Sequence, residues 1–318
     1  MEKISLALAL SLAAPAAAST VYVSNERGNT LTVIDAATLQ PIATWRVGKR
    51  PRGILLSRDG KRIYLCASDE NAVQVIDRAT GKLLADLPSG EDPEQFALSP
   101  DGKMLFAANE RDAAVTAIDI ARAVVAFQIP VGVEPEGMAV SPDGRSLLST
   151  SEIDSQVHWI DLDTRQDVAQ TTVGLRPRHA EFAANGREVW VSAEIGGTVS
   201  VIDTDTRQVT STITFRPPGV PADKVMPVGI DFTPDGKTAL VSLGRANQVA
   251  FVDVAERRVT GYLPVGQRVW HLAITPDGSR AFTANGLSDD VSVIDMAERK
   301  VIATVPAGRA PWGVAIAP

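Results

Sequence analysis

The sequence predicts an all-β fold: a seven-bladed β-propeller of four-stranded antiparallel blades. Three observations carry that expectation. An Asp closing a V-I-D-like segment recurs at Asp35, Asp77, Asp119, Asp161, Asp203, Asp253 and Asp295, in steps of 42, 42, 42, 42, 50 and 42 residues. A nearly fixed period of this size marks a repeat architecture, each copy being one supersecondary unit. Between the markers, short segments rich in β-branched residues alternate with turns, and no window holds a 3.6-residue apolar period long enough for a helix. The two ends are also complementary. The mature chain opens on a second strand, Val21-Tyr22-Val23-Ser24, and stops after an inner strand at Trp312-Gly313-Val314-Ala315-Ile316. One C-terminal strand joining three N-terminal strands would close the ring and remove its open edges.

Taken in order, residues 1–18 read as a signal peptide. Lys3 supplies the positive region, Ile4 to Leu12 the apolar run and Ala16-Ala17-Ala18 the small-residue cleavage site. The run is too short to span a bilayer, so a soluble exported protein beginning near Ser19, without membrane insertion, is expected. The unbroken period makes residues 19–318 a single propeller domain despite the length of 318.

One repeat illustrates the blade. Gln95 to Ser99 forms the inner strand, Met104 to Ala108 the second, Ala114 to Asp119 the third and Val124 to Ile129 the fourth. Pro100-Asp101-Gly102 turns the chain: Pro presets φ, Asp bonds its own backbone and Gly accepts positive φ. The turn recurs at Pro142-Asp143-Gly144, Pro234-Asp235-Gly236 and Pro276-Asp277-Gly278, and loses its Pro at Arg58-Asp59-Gly60 and Ala184-Asn185-Gly186. The marker Asp residues precede Thr38, Thr80, Thr164, Thr206, Glu256 and Glu298 by three positions, the spacing of a side-chain-capped turn.

Composition excludes several functions. A formal charge of −7 opposes a nucleic-acid or anionic-membrane surface. Cys66 is the only cysteine, which rules out an intrachain disulfide, a thiol-ligated cluster and covalent haem attachment; it reads as a small buried hydrophobe. No G-x-S-x-G, Walker loop or H-E-x-x-H occurs, so no catalytic residue and no cofactor is assigned.

Function is expected on the face carrying the interblade linkers, because these differ most between copies. They read Arg50-Pro51-Arg52, Asp92-Pro93-Glu94, Glu134-Pro135-Glu136, Arg176-Pro177-Arg178, Met226-Pro227-Val228, Arg268-Val269-Trp270 and Ala310-Pro311-Trp312. Either Arg and carboxylate pair across blade boundaries, or the mouth binds an anionic or aromatic ligand, or a protein partner, through Arg50, Arg52, Asp92, Glu94, Glu134, Glu136, Arg176, Arg178, Arg268, Trp270 and Trp312. His179 and His271 take a position held elsewhere by Gly53, Gly137, Gly229 and Gly313. They should stand three blades apart on the channel wall. Glu181 and Asp231 intrude where other inner strands carry Leu55, Ala97, Ala139, Ala273 and Ala315. Together these four could hold a metal or transfer protons; opposite walls would be too far apart for one ion, and a wet channel lining is the expectation. His158 reads as packing. The long step places an insertion at Phe215 to Lys224, whose three prolines suggest a stiff flap beside the mouth.

A resemblance runs through these residues. Val21-Tyr22-Val23-Ser24-Asn25, echoed at Leu105 to Asn109 and Ala281 to Asn285, resembles the repeat of the YVTN family of β-propellers. Glu194 to Asp203, Pro227-Val228-Gly229-Ile230, Val265 to Trp270 and Pro311-Trp312-Gly313 are similar to the PQQ-dependent catabolism-associated β-propeller proteins within it. The resemblance implies a periplasmic accessory of quinoprotein alcohol oxidation, with a quinoprotein dehydrogenase, a cytochrome or a transport component as partner, and no catalytic residue set. A monomer is expected. A lactonase-like hydrolase or metal-dependent enzyme at the same mouth is the alternative.

Overall fold

The computed structural model describes residues 19–318; the signal-peptide reading of residues 1–18 lies outside them. Seven four-stranded antiparallel sheets stand around a central axis. Blade 1 is composite: the inner strand Pro311–Ala317 pairs with Thr20–Asn25, which continues into Thr30–Asp35 and Gln40–Arg46. Blades 2 to 7 follow with inner strands Pro51–Leu56, Pro93–Leu98, Pro135–Val140, Pro177–Phe182, Pro227–Phe232 and Val269–Ile274. Six inner strands thus start at the linker proline and that of blade 7 at Val269, two residues before the sequence pattern places the start in the example repeat.

The alternation of side chains along a strand gives each blade two apolar faces, and each face packs on a different neighbour. Tyr22 faces blade 2 with Ile54 and Leu65, whereas Val21 and Val23 face blade 7 with Phe282. Seven apolar clusters result among the described residues, one per blade boundary. Cys66 is fully buried in the cluster between blades 2 and 3, as its neighbours in sequence imply.

The recurrent turns perform the roles their residues suggest. Asp101 accepts from Ser99 Oγ (2.7 Å) and Lys103 N (3.1 Å), and Gly102 adopts a φ of 71°. The marker Asp35 accepts from the Thr38 amide (2.7 Å) and hydroxyl (3.0 Å), and these bonds hold its carboxyl below the usual range. Equivalent bonds recur at Asp77, Asp161 and Asp203.

Two expectations are sharpened by the structure. His158 does more than pack: its Nδ1–H donates to Asp167 Oδ2 (2.7 Å), while Nε2 accepts from the Gly132 amide (3.0 Å). The proline-rich insertion expected as a flap beside the mouth is anchored in the core at both ends. Phe215 and Val225 are buried in the cluster between blades 5 and 6, Val220 packs beside them, and the Arg216 amide donates to the Tyr262 hydroxyl (2.7 Å). The prolines stiffen the segment, but its aromatic and aliphatic residues anchor it as a wedge. Phe215→Ala should therefore cost about 3–5 kcal/mol, read as a lower denaturation midpoint; an unchanged midpoint would show the wedge to be ornamental.

Candidate functional site

The linkers build the site. In six of the seven, the residue before the inner strand has a left-handed backbone: Arg50, Asp92, Glu134, Arg176, Arg268 and Ala310 have φ between 53° and 58°. That conformation is unfavourable for a side-chain-bearing residue and needs external support. It comes from the preceding blade, where Asn29, Asn71 and Asn247 accept from the amides of Arg50 (3.0 Å), Asp92 (3.0 Å) and Arg268 (2.8 Å).

So held, the linker side chains meet across blade boundaries. Arg50 bonds Asp92 and, at 2.5 Å, Glu94. Arg52 bonds the other oxygen of Glu94 and lies 2.8 Å from Glu26. Arg178 stands between Glu136 (2.7 Å) and Glu152; Arg176 reaches Glu152 (2.6 Å) and Arg268 reaches Glu194 (2.6 Å). The guanidinium of Arg268 covers the Trp270 ring at 3.8 Å. The arginines are therefore paired across blade boundaries, and the same arginines line a cavity of about 310 Å³ at the mouth. Glu134 is not among its lining residues, and Trp312, 1% exposed, is buried beneath it.

Glu26, Glu110, Glu152 and Glu194 complete the network and were not singled out from sequence. The signal was present, since each follows the end of a second strand at the same repeat position. These carboxylates matter electrostatically. Burial would raise the Glu94 carboxyl, but Arg52 and Arg50 hold it below its usual range. Glu110, partly buried and sharing a hydrogen bond with Glu94, is pushed up to about 7. Glu136 is raised well above its usual range by burial and by the adjacent Glu152 carboxylate, against the pull of Arg178. Asp92, Glu94 and Glu110 bring their oxygens within 4.8 Å of one another, but Arg50 and Arg52 already neutralise that cluster.

The floor of the mouth follows one repeat position around the axis: Gly53, Gln95, Gly137, His179, Gly229, His271 and Gly313. A Cβ at Gly137 or Gly229 would stand 2.8 or 2.9 Å from the Cα of His179 or His271. The inner strands converge so closely that only alternate blades can carry a side chain here. This corrects the expected separation of the histidines, which belong to blades 5 and 7 and are two blades apart. Their ring centroids are 5.5 Å apart, and His271 lies 4.2 Å from the Trp312 ring. Burial, with His179, Arg178 and Arg52 nearby, holds the His271 imidazole well below its ordinary pKa and hence neutral. Glu181 Oε2 is 3.5 Å from His179 Nε2. Asp231 accepts from the amides of Phe232 (2.8 Å) and Ile274 (2.7 Å), and burial together with Glu181 pushes it up to about 7.

The outer rim of the same face is divided by blade. Its paired positions carry Arg309 and Arg27, Lys49 and Asp69, then Glu91 and Arg111 on successive blades, but Val133 with Ile153 and Leu175 with Ile195 on blades 4 and 5. These four aliphatic residues are 49–62% exposed and form an apolar sector beside the mouth.

A seven-bladed ring with a charged, linker-built mouth defines the class of the protein. Two family profiles match: the lactonase seven-bladed β-propeller over residues 138–302 and the YNCE-like β-propeller over residues 3–122. The first covers more than half of the chain, which therefore belongs to the seven-bladed lactonase β-propeller family. No curated protein sequence matches. Among solved structures, hydrazine synthase of Kuenenia stuttgartiensis is similar at a TM-score of 0.80 and 21% identity, covering 87% of this chain and 92% of its own. A candidate 6-phosphogluconolactonase of Bacteroides fragilis matches at 0.80 and 20%, covering 95% and 98%. Dihydro-heme d1 dehydrogenase NirN matches at 0.70 and 18%, covering 93% and 74%. At such identities the likeness is one of fold.

Two outcomes test the site's energetics. Arg178→Met should destabilise by about 3–5 kcal/mol, because Glu136 and Glu152 would stay buried without their counterion; a loss below about 1 kcal/mol in denaturant titration would contradict the pairing. Asp231 holds its proton to about pH 7 when folded but releases it near pH 4 when unfolded. Its contribution to stability is therefore full below about pH 4 and declines as pH rises through that window. The stability of Asp231→Asn relative to wild type should increase from pH 4 to pH 7 and level above it; a pH-independent difference would refute the assignment.

Proposed function

We propose that the protein is a non-catalytic binding propeller whose linker-face mouth takes a small organic anion. The observation that carries this reading is the chemistry of the mouth cavity. Seven arginines and four glutamates line it, with no Ser, Thr, Cys or His to act as a nucleophile or its base. Asp92, Glu94 and Glu152 lie behind the lining, yet Glu110 and Glu136 are both shifted toward their neutral forms. The balance favours an anion, and Arg27 and Arg245 have no carboxylate partner among the described residues to occupy them. A cavity of about 310 Å³ suits a ligand the size of a sugar acid or small dicarboxylate.

The physiological setting is part of the same proposal. The signal-like leader supports a periplasmic location, and the motif resemblance supports an accessory role beside PQQ-dependent alcohol catabolism. The apolar sector at Val133, Ile153, Leu175 and Ile195 offers a dry surface for a partner such as a quinoprotein dehydrogenase, cytochrome or transport component. A monomeric ring suits these roles.

Calorimetric titration with carboxylates and phosphorylated sugar acids tests the binding reading. Arg245→Ala should weaken the best anion at least about tenfold, about 1.4 kcal/mol, with the denaturation midpoint unchanged. Equal affinity in the variant, or no anion bound at millimolar concentration, would remove the proposal.

A second reading, lactone hydrolysis, is favoured by the family profile and by Glu110. Its carboxyl, pushed up to about 7, lies 3.7 Å from the Arg50 guanidinium, an arrangement in which Glu110 could activate water while an arginine polarises the lactone carbonyl. Hydrolysis would then rise with pH through about 7 and be lost in Glu110→Gln. A flat pH profile or full activity in that variant would leave binding alone.

A further inference from the structure

We infer that His179 and His271 together hold one divalent transition-metal ion, of the zinc or copper type, in the cavity on the channel axis beneath the mouth. This cavity, about 160 Å³, is lined by both imidazoles, Gln95, Glu181 and Trp312, among others, and is separate from the arginine mouth. The inference does not depend on what the mouth binds.

Three observations support it. The Nε2 atoms of His179 and His271 are both buried and have no hydrogen-bond partner, and His271 is only 7% exposed. Buried imidazole nitrogens are ordinarily satisfied, so two orphans in one cavity point to an occupant. The tautomer of His179 is fixed by its neighbour. Gln95 Nε2 donates to the Arg178 carbonyl (3.0 Å), which turns Gln95 Oε1 toward His179 Nδ1 at 3.3 Å. An amide oxygen only accepts, so Nδ1 carries the proton and the Nε2 lone pair is free. Metal-binding histidines are oriented in this way, donating their other N–H to a neighbouring acceptor.

The spacing also fits. With metal–nitrogen bonds of about 2.0–2.1 Å, two imidazoles on one tetrahedral ion hold their centroids about 5 Å apart. Those of His179 and His271 are 5.5 Å apart, with the ring planes inclined by 61°. Glu181 Oε2 stands 3.5 Å from His179 Nε2 without bonding it. Two imidazole nitrogens make a donor pair suited to zinc or copper, with the remaining positions left for water; Glu181, beside His179, does not converge on both imidazoles. The nearby arginines, Arg52 and Arg178, are each paired with carboxylates, Arg52 with Glu26 and Glu94 and Arg178 with Glu152, which offsets part of their repulsion of a cation. Asp231 keeps its backbone partners and is not counted among the ligands.

The test uses residues 19–318 without a histidine tag, stripped with a chelator and titrated with Zn(II) and with Cu(II). One equivalent should bind, raise the denaturation midpoint of the wild type, and bind at least about tenfold more weakly to His179→Ala and to His271→Ala. Electron paramagnetic resonance of the Cu(II)-loaded wild type should show superhyperfine coupling from two imidazole nitrogens. That readout is independent of whether the variants fold. A spectrum with one or no coupled imidazole, or stoichiometric binding unaltered in His271→Ala, would overturn the site. So would the failure of either ion to bind the stripped wild type, which would mean that the cavity holds water alone.

Discussion

The structure depends on ring closure. Every blade must bury two faces, so a ring with one pairing missing would leave two faces in water. The pairing of Thr20–Asn25 with Pro311–Ala317 prevents this. It places Val314 and Ile316 against the cluster that contains Val21, Val23 and Phe282, and Ala315 against the next. Contacts between residues almost 300 positions apart are slow to form, because the loop must close before they contribute. Once made, they lock all seven boundaries together.

Closure brings the linkers to one mouth, where charges that would be solvated on an open surface are instead confined. Arg178 and Glu136 are nearly inaccessible to water, and taking such a pair out of solvent returns little net stability. What the network secures is position. Each arginine is held by carboxylates from neighbouring blades, so its direction is set before any ligand arrives. With Glu110 and Glu136 shifted toward their neutral forms, the neighbouring pairs Glu94 with Glu110 and Glu136 with Glu152 coexist without full mutual repulsion.

Much of this was legible in the sequence. The 42-residue step of the marker Asp residues gave blade count and strand order, and the mismatched ends gave the composite blade. The linker residues Arg50, Asp92, Glu94, Arg176, Arg178 and Arg268 could be placed on one face from topology alone. Two kinds of information were missing. Spacing along the chain does not reveal the width of a channel, so His179 and His271 were assigned to separated walls although close convergence of the strands brings them together. Nor does a proline-rich composition reveal anchoring: Phe215 and Val225 look like any other apolar residues until a core is there to receive them. The glutamates Glu26, Glu110, Glu152 and Glu194 are a different case: their position after the second strands is regular in sequence, but only the closed ring brings them against the linker arginines.

The axial row of glycines alternating with Gln95, His179 and His271 has a further consequence, one of parity. An even ring could alternate small and large residues perfectly; seven blades cannot. The mismatch falls between Gly313 and Gly53, the one boundary where two glycines adjoin, and both line the axial cavity. The break in alternation is thus a counting defect of an odd-membered ring: some boundary must carry it, and here it is the one next to His271.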